Sequence, residues 1–177
     1  MSETVIVSAC LLGINCRYDG GNCLDEGLVK ELKGIHVVPI CPEQLGGLPT
    51  SRLAAEICGG DGFDVLGGRA RVVNMEGEDV TGQFIRGAEE ALKIAELAGA
   101  KKAWLKEKSP SCGVSLIKCG GLEKAGSGVL AALLSREGIE LFPADRRPCS
   151  GRHCCLLELL TIQQSSHLKR LNFYVKK

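Results

Sequence analysis

Two rhythms of apolar and polar positions run along this chain, one for strands and one for helices. Val5, Ile6 and Val7 form a β-branched run, so residues 4–9 read as a buried strand. In 24–34, Leu24, Leu28, Val29 and Leu32 recur at helical spacing, and Gly34 supplies the stop. "IHVVPI" (35–40) predicts a second strand, and the glycine- and proline-punctuated "CPEQLGGLPTSR" that follows predicts a loop. The stretch 64–81 alternates around Glu76-Gly77-Glu78 and predicts a β-hairpin. Thr81 is the expected N-cap of a helix over 82–98, with Phe84, Ala88, Leu92 and Ala95 on one face and Gly99 as its stop. "KKAWLKE" (101–107) predicts a third core strand, with Trp104 as packing. After a glycine-broken loop come a helix over 128–138 and a fourth strand at 139–142.

Strands alternating with helices imply parallel crossovers. The expectation is an α/β protein, a three-layer Rossmann-like fold with a mainly parallel sheet and a β-hairpin excursion. The character changes after Phe142, which divides the chain into a domain over 1–145 and a C-terminal tail over 146–177. The tail reads as a short helix over 156–170 on an irregular linker, or as an appendage. It carries Cys149, Cys154, Cys155, His153 and His167. The adjacent Cys154-Cys155 pair makes poor chelate geometry, so these are read as ordinary residues rather than a second metal site.

Composition narrows the function classes. With 177 residues, 45% hydrophobic and 24% charged, the chain suits one globular domain with a real core. A net charge of +1 gives no basic excess for nucleic acid or a membrane surface, and 4% aromatic residues leave few platforms for base stacking. Ten cysteines are many, but the long strand and helix patterns are not those of a secreted disulfide scaffold. Val7-Ser8-Ala9-Cys10 looks like a lipoprotein cleavage site, yet the residues before it are acidic and too few for a signal peptide. The expectation is a cytoplasmic protein with reduced thiols and no membrane partner.

Three of the cysteines share one context. Cys10 ends the first strand in "VSAC", Cys41 ends the second in "VVPIC", and Cys112 lies just past the third in "KEKSPSCG". In an open parallel sheet the carboxyl ends of the strands share one edge, where ligands bind. Three thiolates without a fourth can hold an iron–sulfur cluster with one iron left open, or a zinc with one open position. A thiol–disulfide pair and buried core cysteines are the other readings. The dispersed spacing lacks the paired C-x-x-C of structural zinc modules. Cys16, in "NCRYDG", reads as a thiol beside the ligands, a transient partner for Cys10, or a structural residue. Cys23, Cys58 and Cys119 read as small residues near turns, and Gly59-Gly60-Asp61-Gly62 lacks the strand-loop-helix setting of a phosphate loop.

"VSACLLGINCRYDG", "CPEQLGGLPTSR", "DVLGGRARVV" and "KEKSPSCG", in this order, resemble the thiouracil desulfidase family over roughly residues 4–142. The resemblance implies a 4Fe–4S cluster held by three cysteines, which match Cys10, Cys41 and Cys112. Its fourth iron would take sulfur from a thiolated nucleobase. It also implies a glutamate and a serine beside the cluster, matching Glu43 and Ser109, with Ser111 as the alternative serine. Thr50-Ser51-Arg52 stands where members commonly have Thr-Pro-Arg, and Arg52 is kept. The chemistry agrees, because a soft thiocarbonyl sulfur calls for a soft Lewis acid and attack by water calls for a base. The expected partner is a small thiolated heterocycle, and the expected products are uracil and sulfide. The rival readings are a non-catalytic zinc or thiol redox sensor, and an enzyme that uses the same cluster to donate sulfur.

Overall fold

The computed structural model describes residues 3–144. Four parallel strands make the central sheet: β1 (Thr4–Ser8), β2 (His36–Ile40), β5 (Lys102–Lys106) and β8 (Glu140–Ala144), in the spatial order β2-β1-β5-β8. β1 therefore lies between the strand that follows it and the strand reached much later. Ile6 pairs with Val38 on one side and Ala103 on the other. The two outer strands carry Pro39 and Pro143, which remove a donor from each edge and discourage further pairing.

Helices cover both faces. α1 (Glu26–Glu31) is capped by Asp25, whose carboxylate accepts the Leu28 N–H at 3.0 Å. It buries Leu28 and packs, with Leu32, against Val5 and Val7. The opposite face, with Ile6, Ala103 and Leu105, packs on α4 (Thr81–Leu97) and α5 (Val129–Arg136). Phe84, Ala88, Ala91 and Ala95 supply the buried stripe of α4, close to the face read from the sequence. Trp104 stacks on Phe142 with ring centroids 4.6 Å apart, as expected of a packing residue.

The expected loop after the second strand holds one helical turn, α2 (Pro42–Leu45), pressed against α4. Contact is backbone to backbone: a Cβ on Gly46 would run into the Gln83 carbonyl, and one on Gly87 into the Pro42 carbonyl. Small antiparallel pairs sit beside the sheet. β3 (Ala55–Cys58) pairs with β4 (Arg71–Asn74), and β6 (Leu116–Cys119) with β7 (Leu122–Ala125).

Three local expectations need correction. The stretch 64–81 is not a self-contained hairpin. Its first residues belong to α3 (Gly62–Leu66), which a reciprocal capping box between Asp61 and Asp64 starts, and β4 pairs backwards with β3. The turn at 76–78 is real but closes only the isolated bridge Val73–Asp79. Thr81 is the first residue of α4 rather than its N-cap; its hydroxyl accepts the Val72 N–H at 2.9 Å and so ties the helix to β4. The loop before α5 contains β6 and β7, whose exposed "LEKA" carries no apolar alternation to reveal it. The tail beyond Ala144 lies outside the described residues, as do Cys149, His153, Cys154, Cys155 and His167.

Candidate active site

The three singled-out cysteines follow three neighbouring strands. Cys10 lies in a single 3-10 turn directly after β1 (Ala9–Leu12), Cys41 is the N-cap residue of α2 directly after β2, and Cys112 is in the turn after β5. Because β2, β1 and β5 are adjacent and parallel, all three end at the same edge. Cys10, Cys16 and Cys112 are buried, while Cys41 is partly exposed.

Contacts join the thiols into one group, with Cys16 in the middle. The Cys16 thiol hydrogen-bonds to the thiols of both Cys10 and Cys41, and the Cys41 Sγ donates to the Cys16 carbonyl at 3.5 Å. Cys112 feels the charge of Cys41, Cys16 and Glu43, and the Ser8 hydroxyl bonds to its sulfur. Ser8 is itself fixed, since its Oγ accepts the Lys106 N–H at 3.1 Å. The hydrogen bond with Cys10 is the main reason that Cys16 is pushed up to about 11. Cys41 is raised first by its bond to Cys16 and then by burial. Burial pushes Cys112 up to about 12, with the Ser8 bond pulling the other way. Without a metal Cys16, Cys41 and Cys112 stay protonated at neutral pH, so a metal taken by any of them releases protons.

The donors suit an iron–sulfur cluster. They are thiols, and the one histidine among the described residues, His36, starts β2 at the opposite edge of the sheet. Among the described residues no three His, Cys, Asp or Glu side chains converge as tightly as a single metal ion requires. Soft thiolate donors of this kind are the ligands that iron–sulfur clusters use.

Glu43 and Arg52 form the charged part of the site. Arg52 Nε and Nη2 each reach Glu43 Oε2 at 2.6 Å, so Oε1 stays outside this pairing. The Arg52 side chain is only 6% exposed and Glu43 18%. The guanidinium also donates to the Cys16 carbonyl from Nη1 and Nη2, and to the Pro49 carbonyl from Nη1, each at 3.1 Å. The peptide between Thr50 and Ser51, just before it, is cis.

On the other side, Ser109 Oγ accepts the N–H groups of Ser111 and Cys112 at 3.2 and 3.1 Å, capping the turn that presents Cys112. Both candidate serines thus lie on this turn, but Ser111 is fully buried and its Oγ has no hydrogen-bond partner, whereas Ser109 is partly exposed. The turn is held from below by Glu107. This buried carboxylate accepts the N–H groups of Val114, Ser115 and Leu116 at 3.0, 3.1 and 3.1 Å, and the Ser115 hydroxyl at 2.6 Å. The α5 N-terminus closes onto the same turn, where a Cβ on Gly128 would collide with the Ser111 carbonyl. Sequence reasoning missed Glu107, because "KEK" reads as a solvated charge run, and it missed Ser8. The available signal was position: each ends or follows a core strand beside a singled-out cysteine.

The family model of 2-thiouracil desulfurase matches residues 5–146. The chain belongs to this family. The Bacillus subtilis (strain 168) protein YbbK is 46% identical over 137 residues, which are 76% of this chain and 91% of that one. Among solved structures, the 4Fe–4S-dependent thiouracil desulfidase TudS superposes with a TM-score of 0.71 at 39% identity, covering 93% of this chain and 99% of that one. The family resemblance read from the motifs and the α/β fold with its mainly parallel sheet both stand.

Proposed function

We propose that this chain is an iron–sulfur-dependent desulfidase that removes sulfur from a thiolated nucleobase such as 2-thiouracil, giving uracil and hydrogen sulfide. The observation that carries the reading is that Cys10, Cys41 and Cys112 each follow a strand ending at one edge of the parallel sheet, with a clamped carboxylate on α2 at that edge. Family membership and the likeness to TudS support it. The three cysteines would hold a 4Fe–4S cluster, three thiolates leaving one iron without a protein ligand. When bound, the cluster supplies a soft Lewis-acidic iron for the thiocarbonyl sulfur.

The chain's own residues supply the rest. Glu43 takes a proton from the attacking water at Oε1, the oxygen that Arg52 leaves outside its grip. Ser109 orients the substrate: its oxygen is fixed by two N–H groups, so its proton is directed outward to a ring acceptor. Ser111, buried on the same turn with its Oγ unpartnered, is the alternative serine. Water replaces sulfur on the ring carbon, the sulfur leaves as hydrosulfide, and no electron is gained or lost overall. The reading is of a cytoplasmic enzyme for a small molecule. No helix among the described residues is long and apolar enough to cross a membrane.

Anaerobic reconstitution with iron and sulfide, followed by assay of 2-thiouracil loss and sulfide release, tests this. A brown protein that turns 2-thiouracil into uracil supports it. A loaded protein that releases neither product overturns it.

A further inference from the structure

Glu43 stands on α2, a helix of a single turn that cannot by itself hold a side chain in one place. Its charge lies close enough to the Cys41 and Cys112 thiols to raise both, so these neighbours give it no anchor. Something else must keep the carboxylate in the site. Arg52 is the one cation bonded to it among the described residues, and Arg52 is spent on internal bonds. Nε and Nη2 take Glu43 Oε2, while Nη1 and Nη2 take backbone carbonyls of Cys16 and Pro49. The backbone of Arg52 is anchored too, its N–H donating to the Tyr18 carbonyl at 2.8 Å. The guanidinium is thus a fixed bracket between the Cys16 loop and the carboxylate, and has no donor turned to a substrate.

A second consequence concerns Cys16. Its carbonyl is held by Arg52 and by the Cys41 thiol. Two of these three bonds come from the Arg52 guanidinium, which thereby ties the Cys16 loop to Glu43.

We infer that Arg52 is a positioning residue that acts through Glu43, fixing Oε2 so that Oε1 meets the reacting water. The inference rests on the assignment of Glu43 as the base. A planar fork with several donors is needed for this, and a lysine ammonium cannot satisfy a carboxylate and two carbonyls in the same geometry.

The test is a double-mutant cycle on the full chain, reconstituted anaerobically, with 2-thiouracil as substrate. Arg52→Gln is expected to lower kcat by about 10²-fold while KM moves by less than about 3-fold, a loss within the range of a misplaced base. Iron per chain and the visible spectrum of the cluster are expected to stay at wild-type values. Arg52→Lys is expected to recover only part of the loss, and it carries the same cycle if Arg52→Gln does not fold. The decisive expectation is non-additivity: combining either Arg52 variant with Glu43→Gln makes the enzyme no slower than Glu43→Gln alone. If the two losses multiply, or if Arg52 variants lose iron or change only KM, the inference falls and the base assignment stands. If Glu43→Gln turns over like wild type, the base assignment falls first and takes the inference with it.

Discussion

On the β5 side of the site, Cys112 sits in a buried turn that a nearby carboxylate and hydroxyl hold by accepting its N–H groups. On the β1–β2 side, Cys10, Cys16 and Cys41 lie in two separate loops, and the main bond between those loops comes from Arg52, far along the chain. The first arrangement is local: the side chains of Glu107 and Ser109 lie within nine residues of every group they bind. The second depends on one guanidinium, a short helix and a partly exposed thiol. A site of this kind has a rigid wall, held by many local bonds, and a second wall that depends on one bracket. That second wall carries the carboxylate.

The strongest way to break the contrast is to treat the walls as equal. Cys10→Ser, Cys41→Ser and Cys112→Ser are each expected to abolish iron binding and turnover together, whichever wall they occupy, whereas Cys16→Ser keeps its iron. Iron per chain after reconstitution checks this, and an iron-free Cys16→Ser would redraw the ligand set. Glu43→Gln is expected to keep a brown cluster and lose turnover by about 10²- to 10⁴-fold. Cluster loss of the same extent would make Glu43 a scaffold residue.

Next comes Glu107→Gln on the rigid wall. One amide oxygen replaces two charged acceptors, and the amide N–H₂ is set against backbone donors, so the cost is about 3 kcal/mol. Urea unfolding of the cluster-free chain measures it, and a cost near zero would mean that the wall is held by α5 packing instead. Ser109→Ala is expected to cost only about 1 kcal/mol through the lost cap, and to reduce turnover per cluster without loss of iron. Unchanged turnover would leave Ser109 as a cap alone. The smallest effect is expected from ending the chain at Asp145: the described sheet and all three proposed ligands precede it, so iron per chain and turnover per cluster should hold. A folded truncation without iron would mean that a tail cysteine completes the site.

How far the sequence could be read follows the same division. The strands were legible because Val5–Val7 is buried on both faces, which selects β-branched residues, and because the half-buried runs at 35–40 and 101–107 keep enough apolar positions to stand out. The cysteine positions were legible because a strand end fixes an edge, and an edge fixes proximity. The bracket was not. Nothing in the spacing of Glu43 and Arg52 distinguishes an ion pair from two solvated loop charges. Nor does "KEK" announce that the middle residue is buried while its neighbours are only half-buried. α3 and β6–β7 escaped because four- or five-residue elements at the surface carry too few turns or alternations to leave a period.

The order of strands in space, β2-β1-β5-β8, differs from their order in synthesis. A ribosome delivers β1 and β2 early, and these can pair while most of the chain is unmade. The Cys112 side of the edge must wait until β5 and its following turn have emerged and docked on the far side of β1. The topology thus completes this edge late in synthesis, and the proposed ligand set comes together only then.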